Sequence, residues 1–233
     1  MGSLRSAGVT TYLRQGKVIT RVSNSEEKRS NTLPQFIQRQ KMRHAISLWS
    51  MLKYCKPMFT NRQTAYLNFT SLASRLPAVY VTRTLMERSS FLMPGIPISD
   101  GTLPVINERL GEVDGVPALL TDLKADKWDY RNELWLYCGE QRGADSMPRV
   151  WFNKRQVSWD EMTLVDGSYV LKDPCFADDM KGWALVMVKG NRCSSQPLVT
   201  RCTLYEKYMT DEALEAAADS YGGLTNPGFL SGG

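Results

Sequence analysis

The sequence predicts an α+β fold, and two observations indicate that class. Residues 32–76 carry two consecutive amphipathic helical patterns, whereas the chain after Pro77 changes to short alternating runs rich in β-branched and aromatic residues. We expect three parts. An N-terminal β-hairpin and antiparallel helix pair occupy 1–76, an antiparallel β-sandwich occupies 77–209, and a short C-terminal helix with an extended arm occupies 210–233.

The first element is a small hairpin around a glycine turn. Apolar and polar residues alternate over residues 8–23, with Arg14-Gln15-Gly16-Lys17 in the middle, which predicts two short strands. A Walker-type phosphate loop is excluded, because its glycine spacing and the Ser or Thr after its lysine are both missing. A hairpin alone is marginally stable in water, so this one must lie on the helices or on another chain.

The first helix is expected to begin at Thr32, because residues 32–35 have the form of a capping box with Pro34 in the first turn. Pro57 disfavours helical backbone before it and ends the element near Tyr54. The packed face is predicted to contain the apolar residues Phe36, Ile37, Ala45, Ile46, Leu48, Trp49 and Leu52. The solvent face is predicted to contain Gln38, Arg39, Gln40, Lys41 and Arg43, with His44 on the flank as a surface or interface residue.

The second helix is predicted from a second capping box, residues 60–63, and it should end at Pro77. The short break between the two helices favours an antiparallel pair. Its packed stripe is predicted to contain Tyr66, Phe69, Leu72, Ala73 and Leu76.

The region after Pro77 predicts an antiparallel sandwich or barrel of about six to eight strands. The candidate strands are 79–82, 104–108, 118–123, 133–138, 149–152, 168–171, 183–188 and 198–205. The Pro- and Gly-rich stretch 93–101 is expected to be a loop. The last two strands should form a hairpin with a protruding loop over 189–197.

The C-terminal helix is predicted from Thr210, an N-cap residue followed by acids in the first turn, to Tyr221-Gly222-Gly223. The residues after it hold too few apolar side chains to form a core. We expect Leu224, Phe229 and Leu230 to anchor this arm on neighbouring chains.

No residue set spells out an enzyme. One histidine and five scattered cysteines leave no zinc constellation and no catalytic triad, so we expect no catalytic residue, no metal and no cofactor.

Cys193 and Cys202 are expected to be free buried thiols, and the odd cysteine count favours a reducing compartment. No apolar run is long enough for a membrane helix, so no membrane partner is expected.

The charge is strongly asymmetric along the chain. Through Leu76 there are 13 Lys or Arg and two acids, a formal charge of +11, whereas the remainder carries −6. The basic part can bind a polyanion or an acidic neighbour. Candidate contacts are Arg14, Lys17, Arg21, Lys28, Arg29, Arg39, Lys41 and Arg43. The candidate acidic interface contains Asp173, Asp178, Asp179, Glu212 and Glu215, of which the first three are expected to form a solvated loop rather than a metal site.

The N-terminal pattern resembles a known family. A hairpin with a Gly-Lys turn, a basic loop and the run from Thr32-Leu33-Pro34-Gln35 to Met42 are similar to the tail ring (connector) proteins of crAss-like phages, with an echo over residues 98–104. The resemblance implies a structural subunit of a multi-copy ring in a phage tail or head-to-tail connector. Its partners would be identical subunits, other tail or portal ring proteins and DNA passing through the channel. The chain would be synthesised in the host cytoplasm and located in the tail or connector of the virion.

A second possibility follows from the same resemblance, because some of these proteins have been described as similar to integration host factor. That likeness implies a nucleic-acid-binding module that uses the basic N-terminal face. The integration host factor fold is much shorter than this chain and has a long DNA-embracing β-arm, whereas the hairpin here is short and precedes the helices. These differences from the integration host factor fold favour a role as a ring subunit over a role in DNA bending.

Overall fold

The structure is a computed structural model that describes residues 4–6, 9–14, 16–22, 32–60, 64–82, 89–124, 132–143 and 147–224. The predicted α+β class is confirmed. Within the described ranges the chain forms three α-helices and several antiparallel sheets in a sandwich-like arrangement.

The N-terminal sheet has three antiparallel strands, β1 (Leu4–Ser6), β2 (Val9–Arg14) and β3 (Lys17–Val22), in the order β1-β2-β3. The predicted hairpin is therefore confirmed, and a third strand extends it. Gly16 has a φ of 76° at the turn, a backbone conformation that glycine adopts without strain. None of the described side chains of this sheet belongs to a core cluster, and Val18 is 67% exposed.

Helix α1 (Leu33–Leu52) begins and ends close to the predicted positions, and a 3₁₀ turn over Lys53–Cys55 follows it. Lys56 then adopts a left-handed conformation with a φ of 48°. The predicted capping-box hydrogen bond of Thr32 is not formed, although its backbone is extended as in an N-cap residue. The helix start therefore depends on Pro34 and on packing rather than on a side-chain cap.

The faces of α1 were predicted incorrectly at three positions. Gln40, expected on the solvent face, and His44, expected at the surface, are 1% and 5% exposed, whereas Ile46, expected on the packed face, is 49% exposed. Phe36, Ala45, Leu48 and Leu52 are buried as expected, together with Ser47. The reason is that an irregular stretch of backbone packs against Gln40 and His44 and needs side-chain hydrogen-bond partners.

Helix α2 (Ala65–Ala73) begins later than the capping box at residues 60–63 predicts. Thr64 is the N-cap residue, and its hydroxyl accepts a hydrogen bond from the Leu67 N–H at 3.4 Å. Thr60 instead donates its own N–H to the Asp100 carbonyl at 2.8 Å, which fixes the connection to the sheets. The indole of Trp49 in α1 packs against Phe69 of α2, with ring centroids 5.3 Å apart.

Two further sheets form the sandwich-like layers. The outer sheet has the order β5-β6-β10-β9, with strands Arg109–Val113 (β5), Val116–Lys124 (β6), Met162–Val165 (β9) and Ser168–Lys172 (β10). The central sheet has the order β12-β11-β7-β8, with strands Glu133–Arg142 (β7), Arg149–Val157 (β8), Lys181–Lys189 (β11) and Arg192–Cys193 (β12). Strand β14 (Val199–Thr200) also pairs with β11. Strands β5 and β9 lie outside the segments that the sequence predicted.

Strand β11 is buried on both faces. Trp183 and Leu185 point into the core shared with the outer sheet, whereas Ala184 and Val186 point into the core shared with α1 and α2. Alternation along one strand thus places helices on one face of the central sheet and a second sheet on the other.

Residues 78–82 and 89–96, which we call the crossing segment, are largely buried in an extended but irregular conformation. The strand predicted at 79–82 is not formed. Its backbone N–H groups donate to acceptors outside any sheet: that of Tyr80 to the Tyr208 carbonyl, and that of Val81 to Gln40 Oε1 at 3.4 Å. These bonds replace the strand-to-strand hydrogen bonds that the β-branched residues of the segment predicted.

Three other predicted segments differ. Part of the predicted loop 93–101 forms β4 (Pro97–Ser99), which pairs with β13 (Gln196–Pro197). Of the predicted protruding loop 189–197, residues 189–192 are exposed, whereas Cys193, Ser194 and Gln196 are buried. Residues 104–108 form no strand, and most of 198–205 is irregular or 3₁₀ beyond β14.

Helix α3 (Asp211–Ser220) matches the prediction, and the Thr210 hydroxyl accepts from the Ala213 N–H at 3.2 Å. Leu214, Ala217 and Ala218 pack against Phe36 of α1. Leu224, expected on a neighbouring chain, instead packs against this cluster of its own chain. Phe229, Leu230, Lys28 and Arg29 lie outside the described residues.

Candidate functional site

A cleft of about 480 Å³ lies where α1, β8 and the end of α3 meet, and we call it the arginine cleft. Its volume is within the range of small-molecule sites. Its lining residues are Arg39, Met42, Arg43, Ile46, Ser47, Ser50, Arg149 and Tyr221. Three guanidinium groups, those of Arg39, Arg43 and Arg149, therefore line one space, and no carboxylate is among these described lining residues.

Arg43 is held by aromatic contacts. Its guanidinium carbon lies 5.0 Å from the centroid of the Tyr221 ring, an arrangement in which the cation is attracted to the ring face. Tyr221 in turn meets Phe36 edge-on, with centroids 5.5 Å apart. Helix α3 ends at Tyr221, whose N–H donates to the Ala218 carbonyl at 3.0 Å. The position of the tyrosine ring is thus set by the helix end.

Two buried polar atoms at the cleft lack a hydrogen-bond partner within the described part of the chain. They are Arg43 Nη1 and the Tyr221 hydroxyl. An unsatisfied buried donor costs about 1–3 kcal/mol. Both residues line the same cleft, so the unpaired donors lie on one side of it.

Arg149 reaches the cleft from the first position of β8, opposite Arg142 in the strand register. Arg142 does not line the cleft, because it pairs with Glu140 at 2.8 Å and lies over the Trp151 ring. Two arginines at one sheet end are therefore used differently, one in an ion pair and one at the cleft.

The structure brings only part of the predicted basic set together. Arg39 and Arg43 share the cleft, whereas Lys41, also on α1, does not line it, and Lys17 is exposed beside the hairpin turn. Arg14 and Arg21 lie on strands β2 and β3. Arg149 and Tyr221 were not predicted for the site, because nothing in the sequence indicates that β8 and the end of α3 both meet α1.

The predicted acidic set is divided between two elements. Asp173 accepts from the Cys175 N–H at 2.9 Å, and Asp178 pairs with Lys181 at 2.9 Å, so both act within the turn before β11. The hydrogen bond from Lys181 lowers the pKa of Asp178. Asp179 is exposed near this turn, and Glu212 and Glu215 are exposed on α3.

His44 is buried, contrary to the expectation of a surface residue. The Phe91 N–H of the crossing segment donates to His44 Nε2 at 3.0 Å. Burial lowers the pKa of His44 to about 4, so the neutral imidazole is the form that accepts this bond. The residue therefore supports the fold rather than acting as a base at the surface.

Cys193 and Cys202 are both buried and free. Burial raises the pKa of each thiol, which keeps the groups protonated and weakly reactive at neutral pH. They lie in the core shared with α1 and α2. Neither has the electropositive, exposed surroundings of a nucleophile.

Glu108 is a buried acid that the sequence did not single out. Its Oε1 accepts from the Leu185 N–H at 2.9 Å and from the side chain of Gln196, while Oε2 has no partner among the described residues. Burial raises the pKa of Glu108 well above its usual range, although these hydrogen bonds oppose the shift. Gln196 also exchanges two hydrogen bonds with the Ile106 backbone, so the group fixes an irregular segment to the central sheet.

In the described ranges no group of three or more His, Cys, Asp or Glu residues is placed to hold a metal ion. None of the helices described is long and apolar enough to cross a membrane. Comparison of the chain with protein-family models, with curated proteins and with solved structures gives no match.

Proposed function

We propose that this chain is a structural subunit of a multi-copy ring in a phage tail or head-to-tail connector, where it forms part of the conduit for the genome. The observation that carries the proposal is the N-terminal sheet. It spans residues 4–22 with Arg5, Arg14, Lys17 and Arg21 and no acid. Its three strands pair only with one another in the described ranges, so β1 and β3 are both edge strands. The free backbone groups of an edge strand can pair with a strand of a neighbouring chain.

The complementary surface is on the outer sheet. A cleft of about 600 Å³ there is lined by the acids Glu112, Asp122 and Asp166, with Arg109 as the one base among its described lining residues. Glu108 lines it as well, but burial raises the pKa of its carboxyl well above the usual range, so it is not counted among the acidic contacts. A basic sheet on one copy facing an acidic cleft on the next is a heterologous contact, and such contacts close into rings when the rotation between copies fits. Opposite charges also guide the encounter between copies.

A charge-swap experiment tests this contact. We expect the full chain to form rings on a negative-stain grid and a high-mass species in size-exclusion chromatography with light scattering. Lys17→Glu or Glu112→Lys alone should reduce assembly at least about tenfold, and the double variant should recover part of it, because the pair regains opposite signs.

Glu215→Lys tests the acidic interface that the sequence predicted on α3, and loss of assembly there instead would move the acidic half of the contact to α3. The matched control is Glu206→Lys, which reverses an exposed acid outside both acidic sets. Assembly of this control should be unchanged. A native chain that stays monomeric at high concentration would overturn the proposal.

The second candidate function is an integration-host-factor-like, nucleic-acid-binding role. The specific observation is that α1 has three bases, Arg39, Lys41 and Arg43, and no acid over its 20 residues. Duplex DNA should then be retained by the protein in a steeply salt-dependent manner. Retention by a chain that forms no rings would favour this candidate, and rings formed without DNA favour assembly.

A further inference from the structure

We propose that the arginine cleft is a binding site for a small phosphate monoester that carries an apolar or aromatic body. The site lies on the α1–α3 side of the molecule, and the proposal does not depend on the assembly described above. It rests on the geometry of Arg43, Arg149 and Tyr221.

The polar part of the site matches a phosphate. Guanidinium groups offer paired N–H donors that fit phosphate oxygens, and Arg39, Arg43 and Arg149 line one space. Buried Arg43 Nη1 and the buried Tyr221 hydroxyl have no protein partner in the described ranges. A bound phosphate brings several acceptor oxygens to the side of the cleft where the fold leaves these two donors unpaired.

The apolar part of the site matches an attached organic group. Met42 and Ile46 line the same cleft, and Ile46 is 49% exposed although it is an aliphatic residue on a helix that packs on a core. The volume of about 480 Å³ exceeds what a bare phosphate fills. A ligand whose phosphate binds the arginines and whose ring or chain packs against Met42 and Ile46 contacts both the polar and the apolar part of the cleft.

The site is also preorganised. Phe36 and the guanidinium of Arg43 hold the Tyr221 ring from two sides, and the end of α3 fixes its backbone. Arg149 is fixed at its backbone, since β7 pairs with β8 there. The fold therefore positions the hydrogen-bond donors before a ligand binds, which lowers the entropic cost of binding.

Isothermal titration calorimetry on the full chain tests the proposal with four probes: adenosine 5′-monophosphate, adenosine, inorganic phosphate and a 20-nucleotide single strand. We expect the monophosphate to bind more tightly than phosphate and adenosine not to bind measurably. Arg43→Gln and Arg149→Gln should each weaken binding roughly tenfold or more, because each removes a charge-assisted hydrogen bond.

The matched control is Arg142→Gln, which removes an arginine from the same sheet end that does not line the cleft. Its affinity for the monophosphate should equal that of the native chain. Tyr221→Phe keeps the ring and removes only the hydroxyl, so it tests the site if Arg43→Gln fails to fold, and a several-fold loss is expected.

Four results would overturn the proposal. They are no binding of the monophosphate at millimolar concentration, equal binding of adenosine, equal binding of inorganic phosphate, and binding of the oligonucleotide alone. The last would assign the cleft to the nucleic-acid-binding candidate instead.

Discussion

The N-terminal sheet and the central sheet are both antiparallel, yet their side chains meet opposite surroundings. In β11 every residue from Gly182 to Val188 is buried, because helices cover one face and the outer sheet covers the other. In β3 the residues Lys17 and Val18 are exposed, and the described side chains join no core cluster. One sheet is thus covered on both faces by its own chain, whereas the described side chains of the other lie outside the core.

The largest effect on folding should come from the central sheet. Trp183 is 1% exposed and packs against Phe176 with ring centroids 5.0 Å apart. Trp183→Ala should lower the free energy of unfolding by about 3–5 kcal/mol, measured by urea denaturation. Trp151, on β8 of the same sheet, is 42% exposed, and Trp151→Ala should cost less than about 1 kcal/mol. If the two variants lost the same free energy of unfolding, the contrast between the buried and the exposed positions of the sheet would be wrong.

Close packing at Gly182 predicts the next effect. A Cβ added there would overlap Leu198 and approach Thr200 at 2.9 Å. Gly182→Ala should therefore lower the free energy of unfolding by roughly 1–3 kcal/mol. Gly167→Asn is the control, because nothing lies within 4 Å of an added Cβ and Asn tolerates the φ of 76°. Its thermal midpoint should stay close to that of the native chain.

Lowering the pH should reduce the free energy of unfolding because His44, buried beneath the crossing segment, must take up a proton on unfolding. Burial lowers the pKa of His44 to about 4, against about 6.5 in an unfolded chain. Between these values the unfolded state takes up a proton that the folded state does not, so the free energy of unfolding falls as pH falls from 6.5 towards 4. The loss should be roughly 3 kcal/mol. It should be smaller in His44→Gln, whose amide can still accept from Phe91 and does not titrate. Parallel pH profiles of the two proteins would refute the assignment.

The smallest effect on folding is expected in the N-terminal sheet. Val18→Ser replaces an apolar side chain that is 67% exposed, so the free energy of unfolding should change by less than about 0.5 kcal/mol. If the proposed ring contact uses this sheet, the assembled fraction in light scattering should nevertheless fall, because that contact would bury this side chain. A clear loss of monomer stability would show that this sheet packs on its own chain.

The elements that sequence could predict are those with regular periodicity. Helix α1, helix α3 and the strands around 133–138 and 183–188 follow local patterns, and they formed near the predicted positions. Residues 79–82 have the composition of a strand, but their hydrogen-bond partners are Gln40 and Tyr208, which are distant in sequence. Local propensity does not report such partners, and for the same reason the burial of Gln40 and His44 was missed.

The arginine cleft shows the same limit. Arg39 and Arg43 were predicted as a basic face from their spacing on one helix, which needed only the helical period. Tyr221 approaches α1 because Leu214 and Ala217 pack on Phe36, whereas Arg149 does so because β8 packs against α1 in another core cluster. A helical pattern shows that α3 has an apolar side but not which surface that side meets.

Because alternate residues of β11 belong to two different cores, neither core can melt while the other stays intact. Pulling Trp183 and Leu185 into water disturbs the backbone that also carries Ala184 and Val186. The two layers should accordingly unfold in a single calorimetric transition, with equal van't Hoff and calorimetric enthalpies. We expect this one strand to make the two unlike layers unfold as a single cooperative unit.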